Sequence, residues 1–130
     1  MAKKKILIVD DDPDIRHGLD IRLRANDYEP IFAADALMAI SAAQKEKPDL
    51  ILLDIGLPGG DGFIVMRRFK TILSLASIPI IVVTSRDPIT HKDRALEAGA
   101  EAFFQKPFNN DELLLAIGKI LGANLKVSLG

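Results

Sequence analysis

The sequence predicts an α/β fold: a five-stranded parallel sheet, doubly wound, with helices covering both faces. Two observations predict it. Short apolar runs alternate with helix-period segments almost from end to end, giving five βα units. The runs are apolar on successive residues rather than on every second one, as strands buried on both faces require. Right-handed crossovers then place the helices on the two sides of the sheet.

The elements follow in order. Ile6 to Val9 reads as the first strand, and Asp12-Pro13 supplies an N-cap followed by proline at the first helical position. Ile15, Leu19 and Leu23 then line one face of the first helix, with Asp14 in its first turn favouring the helix dipole. Pro30 to Ala33 is the second strand; Asp35 opens a second helix through Leu37 and Ile40. Leu50 to Leu53 is the third strand, and Asp61 caps a third helix through Ile64, Val65 and Phe69. Ile78 to Val83 is the fourth strand; Asp87-Pro88 repeats the cap-plus-proline device before a helix stopped by Gly99. Ala102 to Phe104 is the fifth strand, and Asn109 with Glu112 three residues on makes a capping-box-like start to the last helix.

Composition narrows the function. A chain of 130 residues suits one domain. With 17 basic and 18 acidic side chains the net charge is −1, which gives no electrostatic reason to expect direct nucleic-acid or membrane-surface binding. Cysteine is absent, so disulfides and thiolate metal sites are excluded, in keeping with a reducing, cytoplasmic setting. The apolar runs are far too short to cross a bilayer, and the stretch after Lys3-Lys4-Lys5 ends in aspartates without a cleavage pattern.

The chemistry gathers at strand ends. In open parallel sheets ligands sit beyond the carboxyl ends of the strands. There this chain places Asp10 and Asp11 after strand one, Asp54 after strand three, Thr84-Ser85 at the end of strand four and Lys106 after strand five. Carboxylates about 4 Å apart repel by roughly 4 kcal/mol at an effective dielectric near 20. A hard divalent cation neutralises such a cluster. Magnesium, with manganese as the alternative ion, takes oxygen ligands and keeps waters that phosphate oxygens can replace. A hydroxyl at Thr84 and an ammonium at Lys106 complete a set of parts for phosphoryl transfer, with Asp54 as the nucleophile and Asp10 and Asp11 as the better metal binders.

The stretches ILIVDDDPDI, DLILLDIGLPGGDGF, IPIIVVTS and GAEAFFQKPF together resemble, in order and spacing, the receiver domain of bacterial two-component response regulators, over residues 4–121. The resemblance implies the strand order 2-1-3-4-5 and a receiver over residues 1–122, with 123–130 a tail or the start of a linker. It implies Asp54 as phosphoacceptor, with Asp11 and the Gly56 carbonyl joining it around magnesium and Asp10 supporting the ion through water. Thr84 and Lys106 would contact the phosphoryl group, and Lys106-Pro107 would be a cis peptide. The expected function is phosphotransfer from a sensor kinase's phosphohistidine, or from a phosphotransfer protein, to Asp54. Such a domain catalyses its own phosphorylation and dephosphorylation, with no separate small-molecule product.

The resemblance also implies a switch, in which Thr84 moves inward and an aromatic ring rotates into the vacated space, altering the surface of the fourth helix, fifth strand and fifth helix. Here that ring is Phe103, where the family often has tyrosine, so any readout works by packing alone. Output passes to an output domain or downstream target. Ala116 stands near the place where transcription-factor receivers carry an arginine for a salt-bridged dimer, so a monomer or weak dimer is expected.

Other readings meet specific obstacles. A haloacid-dehalogenase-type phosphatase would carry D-x-D-x-T after strand one; Asp10 and Asp12 fit, but Asp14 takes the threonine's place. A flavodoxin-like FMN binder shares the sheet order, but the acidic loop after strand one would repel the FMN phosphate. GGDGF, residues 59–63, is like the GGDEF signature of diguanylate cyclases, but it follows DIGLP as a receiver loop does, its glycines serving a turn. His17 and His91, among polar helix residues, read as surface side chains.

Overall fold

The computed structural model describes residues 2–57 and 62–122. Five strands, β1 (Lys4–Val9), β2 (Tyr28–Ala33), β3 (Leu50–Leu53), β4 (Ile80–Thr84) and β5 (Ala102–Gln105), pair in parallel in the order β2-β1-β3-β4-β5. Five helices follow them: α1 (Pro13–Ala25), α2 (Ala36–Glu46), α3 (Gly62–Thr71), α4 (Pro88–Glu97) and α5 (Asn110–Leu121). The doubly wound α/β architecture is therefore the one its apolar runs predict.

Alternation along each strand divides the core into two layers. Leu7, Val9, Ile51, Leu53, Ile80 and Val82 face α2, α3 and α4, where Ile40, Met66, Phe69 and Ala95 are buried against them. Ile6, Ile8, Leu50, Leu52, Ile81 and Val83 face α1 and α5, which bury Leu19, Leu23, Leu113 and Ile117.

The helix starts use the side chains the sequence singles out. Asp12 accepts from the Asp14 amide, Asp35 from Met38, Asp87 from Thr90 and Asn109 from Glu112. The Asp61 cap and most of GGDGF lie outside the described residues, as does the segment 123–130. Replacing Asn109 with alanine is expected to cost about 1 kcal/mol, by removing the oxygen that accepts from the Glu112 amide at 3.0 Å. Urea unfolding checks this, and Asn109→Asp should retain most of the stability.

Three differences from expectation have physical causes. β4 begins at Ile80 rather than Ile78, because Pro79 has no N–H to enter a ladder and the Ile78 amide bonds the Leu75 carbonyl at 3.1 Å. β1 and β2 each begin two residues before their apolar runs, since Lys4 and Lys5 pair through backbone with Tyr28 and Glu29; Pro30 is tolerated because β2 is an edge strand. Leu37 and Ile64, expected on buried helix faces, are 75% and 52% exposed. The small pair Ala39 and Ala43, with Ile40, turns inward on α2, and Phe63, Val65, Met66 and Phe69 do so on α3.

Gly62 opens α3 where a side chain has no room: an added Cβ would stand 2.5 Å from the Ile55 carbonyl oxygen. That close approach packs the start of α3 onto the loop that follows β3.

Candidate functional site

Sheet register brings the polar strand ends together. Leu53 pairs with Val9 on one side and Val82 on the other, so Asp10 and Asp54, each one residue further on, emerge side by side at the centre of the rim. The Asp54 amide continues the ladder to the Val9 carbonyl at 3.0 Å, and the Lys106 amide does the same to the Thr84 carbonyl at 2.8 Å.

Asp10 and Asp54 are buried, 3% and 7% exposed, while Asp11 is exposed. One carboxylate oxygen from each of the three lies within 4.8 Å of the others. Such a hard, all-oxygen donor set, closed on two sides and open at Asp11, fits magnesium, which takes one or two carboxylates and retains water. Thr84 is wholly buried at the end of β4. The Gly56 amide donates to Asp54 Oδ1 at 2.8 Å.

Lys106 closes the group. Its Nζ donates to Asp10 Oδ2 at 2.7 Å and to Asp54 Oδ2 at 3.2 Å, bridging two strand ends that are 44 positions apart in sequence with a third from β5. Burial pushes the Asp10 carboxyl above the usual carboxylate range, with the Asp54 charge adding to it, although Lys106 and the Asp12 amide pull the other way. Burial alone would lower Lys106, but its bond to Asp10 and the charges of Asp54 and Asp10 hold it above the ordinary lysine value.

The Lys106–Pro107 peptide is cis. Phe103 and Phe104, half-buried, point to opposite faces of the sheet, Phe103 toward the layer under α2 to α4 and Phe104 toward the layer under α1 and α5. His91 is more than a surface residue: its ring lies parallel to that of Phe63 at 6.5 Å, and the Arg94 guanidinium sits 3.9 Å above the same ring. His17 is exposed. The Arg86 side chain lies against Gly56, its Nε 3.2 Å from where a Cβ at residue 56 would stand.

The family model described as the response regulator receiver domain matches residues 6–118. The chain belongs to this family. The receiver is 38% identical to sporulation initiation phosphotransferase F of Bacillus subtilis (strain 168) over 121 residues, covering 93% of this chain and 96% of that protein. Among solved structures, a CheY-like response regulator receiver domain protein from Methanospirillum hungatei JF-1 superposes with a TM-score of 0.85 at 31% identity, covering 95% of this chain and 98% of the other. The receiver domain of a sensor histidine kinase from Pseudomonas aeruginosa PAO1, solved with a magnesium ion coordinated in its active-site cleft, superposes with a TM-score of 0.84 at 28% identity, covering 94% and 100%. The receiver spans about half the length of several curated relatives, transcriptional regulators among them, at 49%, 48% and 53% of their chains. Among the described residues no helix is long and apolar enough to cross a membrane.

Proposed function

We propose that this receiver takes a phosphoryl group onto Asp54 from the phosphohistidine of a sensor kinase or phosphotransfer protein, and that the phosphoryl state is its signal. One observation carries the reading: Asp54 is a buried carboxylate held between a backbone amide and an ammonium, with two further carboxylates within 4.8 Å. In the transfer, an Asp54 oxygen bonds to phosphorus as the phosphorus–nitrogen bond to the donor imidazole breaks, giving an acyl phosphate. Asp10, Asp11 and Asp54, with the Gly56 carbonyl, would hold the magnesium or manganese ion. When bound, the ion neutralises charge on the phosphoryl oxygens.

Lys106 already faces both Asp10 and Asp54, so it can turn its ammonium to a phosphoryl oxygen with little movement. The Thr84 hydroxyl, buried beside the same site, serves as donor to another oxygen and as the moving part of the switch. Phe103, half-buried on β5 and lacking a hydroxyl, follows Thr84 by packing alone, and α4, β5 and α5 carry the altered surface to an output domain or downstream target. The proposed receiver is cytoplasmic, occupies residues 1–122, and acts as a monomer or weak dimer.

Intact-mass spectrometry after incubation with acetyl phosphate tests the reading. Wild type should gain one phosphoryl mass only when magnesium is present, stable in acid and lost in base, and Asp54→Ala should gain none. Absence of the adduct on wild type together with failure to bind beryllofluoride would overturn the phosphoacceptor role.

A further inference from the structure

β2 is one edge of the sheet and β5 the other, so the surface around β2 lies away from that of α4, β5 and α5. Two grooves of about 400 and 390 Å³ meet there at Phe32. One runs along α1 past Arg16 and Arg24; the other runs along α2 past Leu37, Met38 and Lys45. Leu37 is 75% exposed, Met38 is 51% exposed and Phe32 is half-buried, so an apolar strip continues across the strand edge. A continuous strip of this kind, rimmed by polar groups, marks a binding surface. Its rim is cationic. Arg16, Arg24 and Lys45 border the grooves against one carboxylate, Asp20, which Arg24 Nε already holds at 2.8 Å. Arg16 Nε is buried and has no hydrogen-bond partner among the described residues. Buried donors are normally paired, and the acceptor that suits a guanidinium best is a carboxylate.

We infer that this edge is a docking surface for an acidic amphipathic helix of a partner protein, which lays apolar side chains on Phe32, Leu37 and Met38 and sets carboxylates against Arg16 and Lys45. Charge complementarity selects the occupant. A second copy of the chain would bring the same cations face to face across a two-fold axis. An added strand is disfavoured as well. The Ala33 carbonyl accepts from the Asp10 amide, and backbone groups alternate in direction along a strand, so Ala33 and Ile31 turn theirs toward β1 while Phe32 and Pro30 present theirs at the free edge. Pro30 has no N–H, which interrupts any ladder an extended peptide would build. A helix needs no ladder, because its backbone is satisfied internally, and its anchors at i, i+3 or i+4, and i+7 suit a groove. The grooves are concave, which matches a rod better than the flat face of a bilayer. The surface is separate from Asp54, so the inference does not rest on the phosphoacceptor reading.

The probe is a short stapled helix carrying leucines at i, i+4 and i+7 with glutamates on their flanks, titrated against the protein by fluorescence anisotropy and located by amide and methyl chemical-shift changes. Binding should saturate, with the shifts centred on Phe32, Leu37 and Met38. Leu37→Ala, at an exposed position, should weaken it about tenfold while leaving the thermal midpoint and phosphoryl uptake unchanged. Arg16→Gln should weaken it about fivefold and flatten its salt dependence. The same helix with lysines in place of the glutamates should bind about tenfold more weakly or worse. Absence of saturable binding, shifts centred on α4, β5 and α5 instead, a Leu37→Ala protein that binds as wild type does, or equal binding of the lysine helix would overturn the inference. Vesicles of anionic phosphatidylglycerol supply the remaining arm: binding to them that depends on Leu37, with neither helix bound, assigns the patch to a membrane surface and overturns the protein partner.

Discussion

Lys106→Met should destabilise the metal-free protein by about 3 kcal/mol or more, the usual cost of removing one partner from a buried ion pair. The lysine bridges Asp10 at 2.7 Å and Asp54 at 3.2 Å, and both carboxylates are buried. Methionine keeps most of the side-chain volume and removes the charge, leaving two carboxylates facing each other without a counter-ion. Urea unfolding in chelator measures the loss. Two conditions should reduce it. Magnesium would supply the missing charge. Acid would also help: the Asp10 carboxyl is already held above its ordinary value by burial, and without the Lys106 bond it should rise further. A carboxyl that binds its proton more tightly folded than unfolded gains stability as pH falls through the folded value. A loss under about 1 kcal/mol that ignores both pH and magnesium would mean that water, not Lys106, compensates these carboxylates.

The second large effect is metal linkage. Magnesium at a hundred times its dissociation constant should stabilise wild type by about 2.7 kcal/mol, and Asp11→Asn or Asp54→Asn should abolish that gain. In chelator the same substitutions should raise stability by about 1 kcal/mol, because each removes one charge from a mutually repelling group. Asp11 is the cleaner case. It is exposed and contributes an oxygen to the cluster, so its neutralisation relieves repulsion at little other cost. Asp54→Asn keeps an oxygen to accept the Gly56 amide but weakens the Lys106 contact, so its net gain should be smaller. Thermal unfolding with and without magnesium reads both quantities. Equal destabilisation by Asp11→Asn in the two conditions would refute the metal site.

How much of this was legible beforehand depends on the range of the interaction responsible. Caps are local: Asp12, Asp35, Asp87 and Asn109 bond amides two or three residues on, so spacing alone located four helix starts. Helix faces were less legible. Leu37 and Ile64 fit a helical period yet point outward, since what turns inward is decided by the surface across the interface, where Ala39 and Ala43 allow close approach. The fourth strand was misplaced at its start by an apolar run that continues through a proline, where hydropathy and hydrogen-bonding capacity disagree.

The site divides along the same line. Residue type and position along the chain were enough to identify Asp10, Asp11, Asp54, Thr84 and Lys106 as a set, because parallel strands of a βα repeat deliver their carboxyl ends to one rim whatever their exact register. Tertiary structure alone decided which of them touch. That Lys106 binds Asp10 more closely than Asp54, that Asp11 stays exposed while its two neighbours are buried, and that Arg86 fills the space beside Gly56 all depend on register and loop packing between segments far apart in the chain. Distances of a few tenths of an ångström between such segments are set by the whole core beneath them, and no local pattern of residues encodes them.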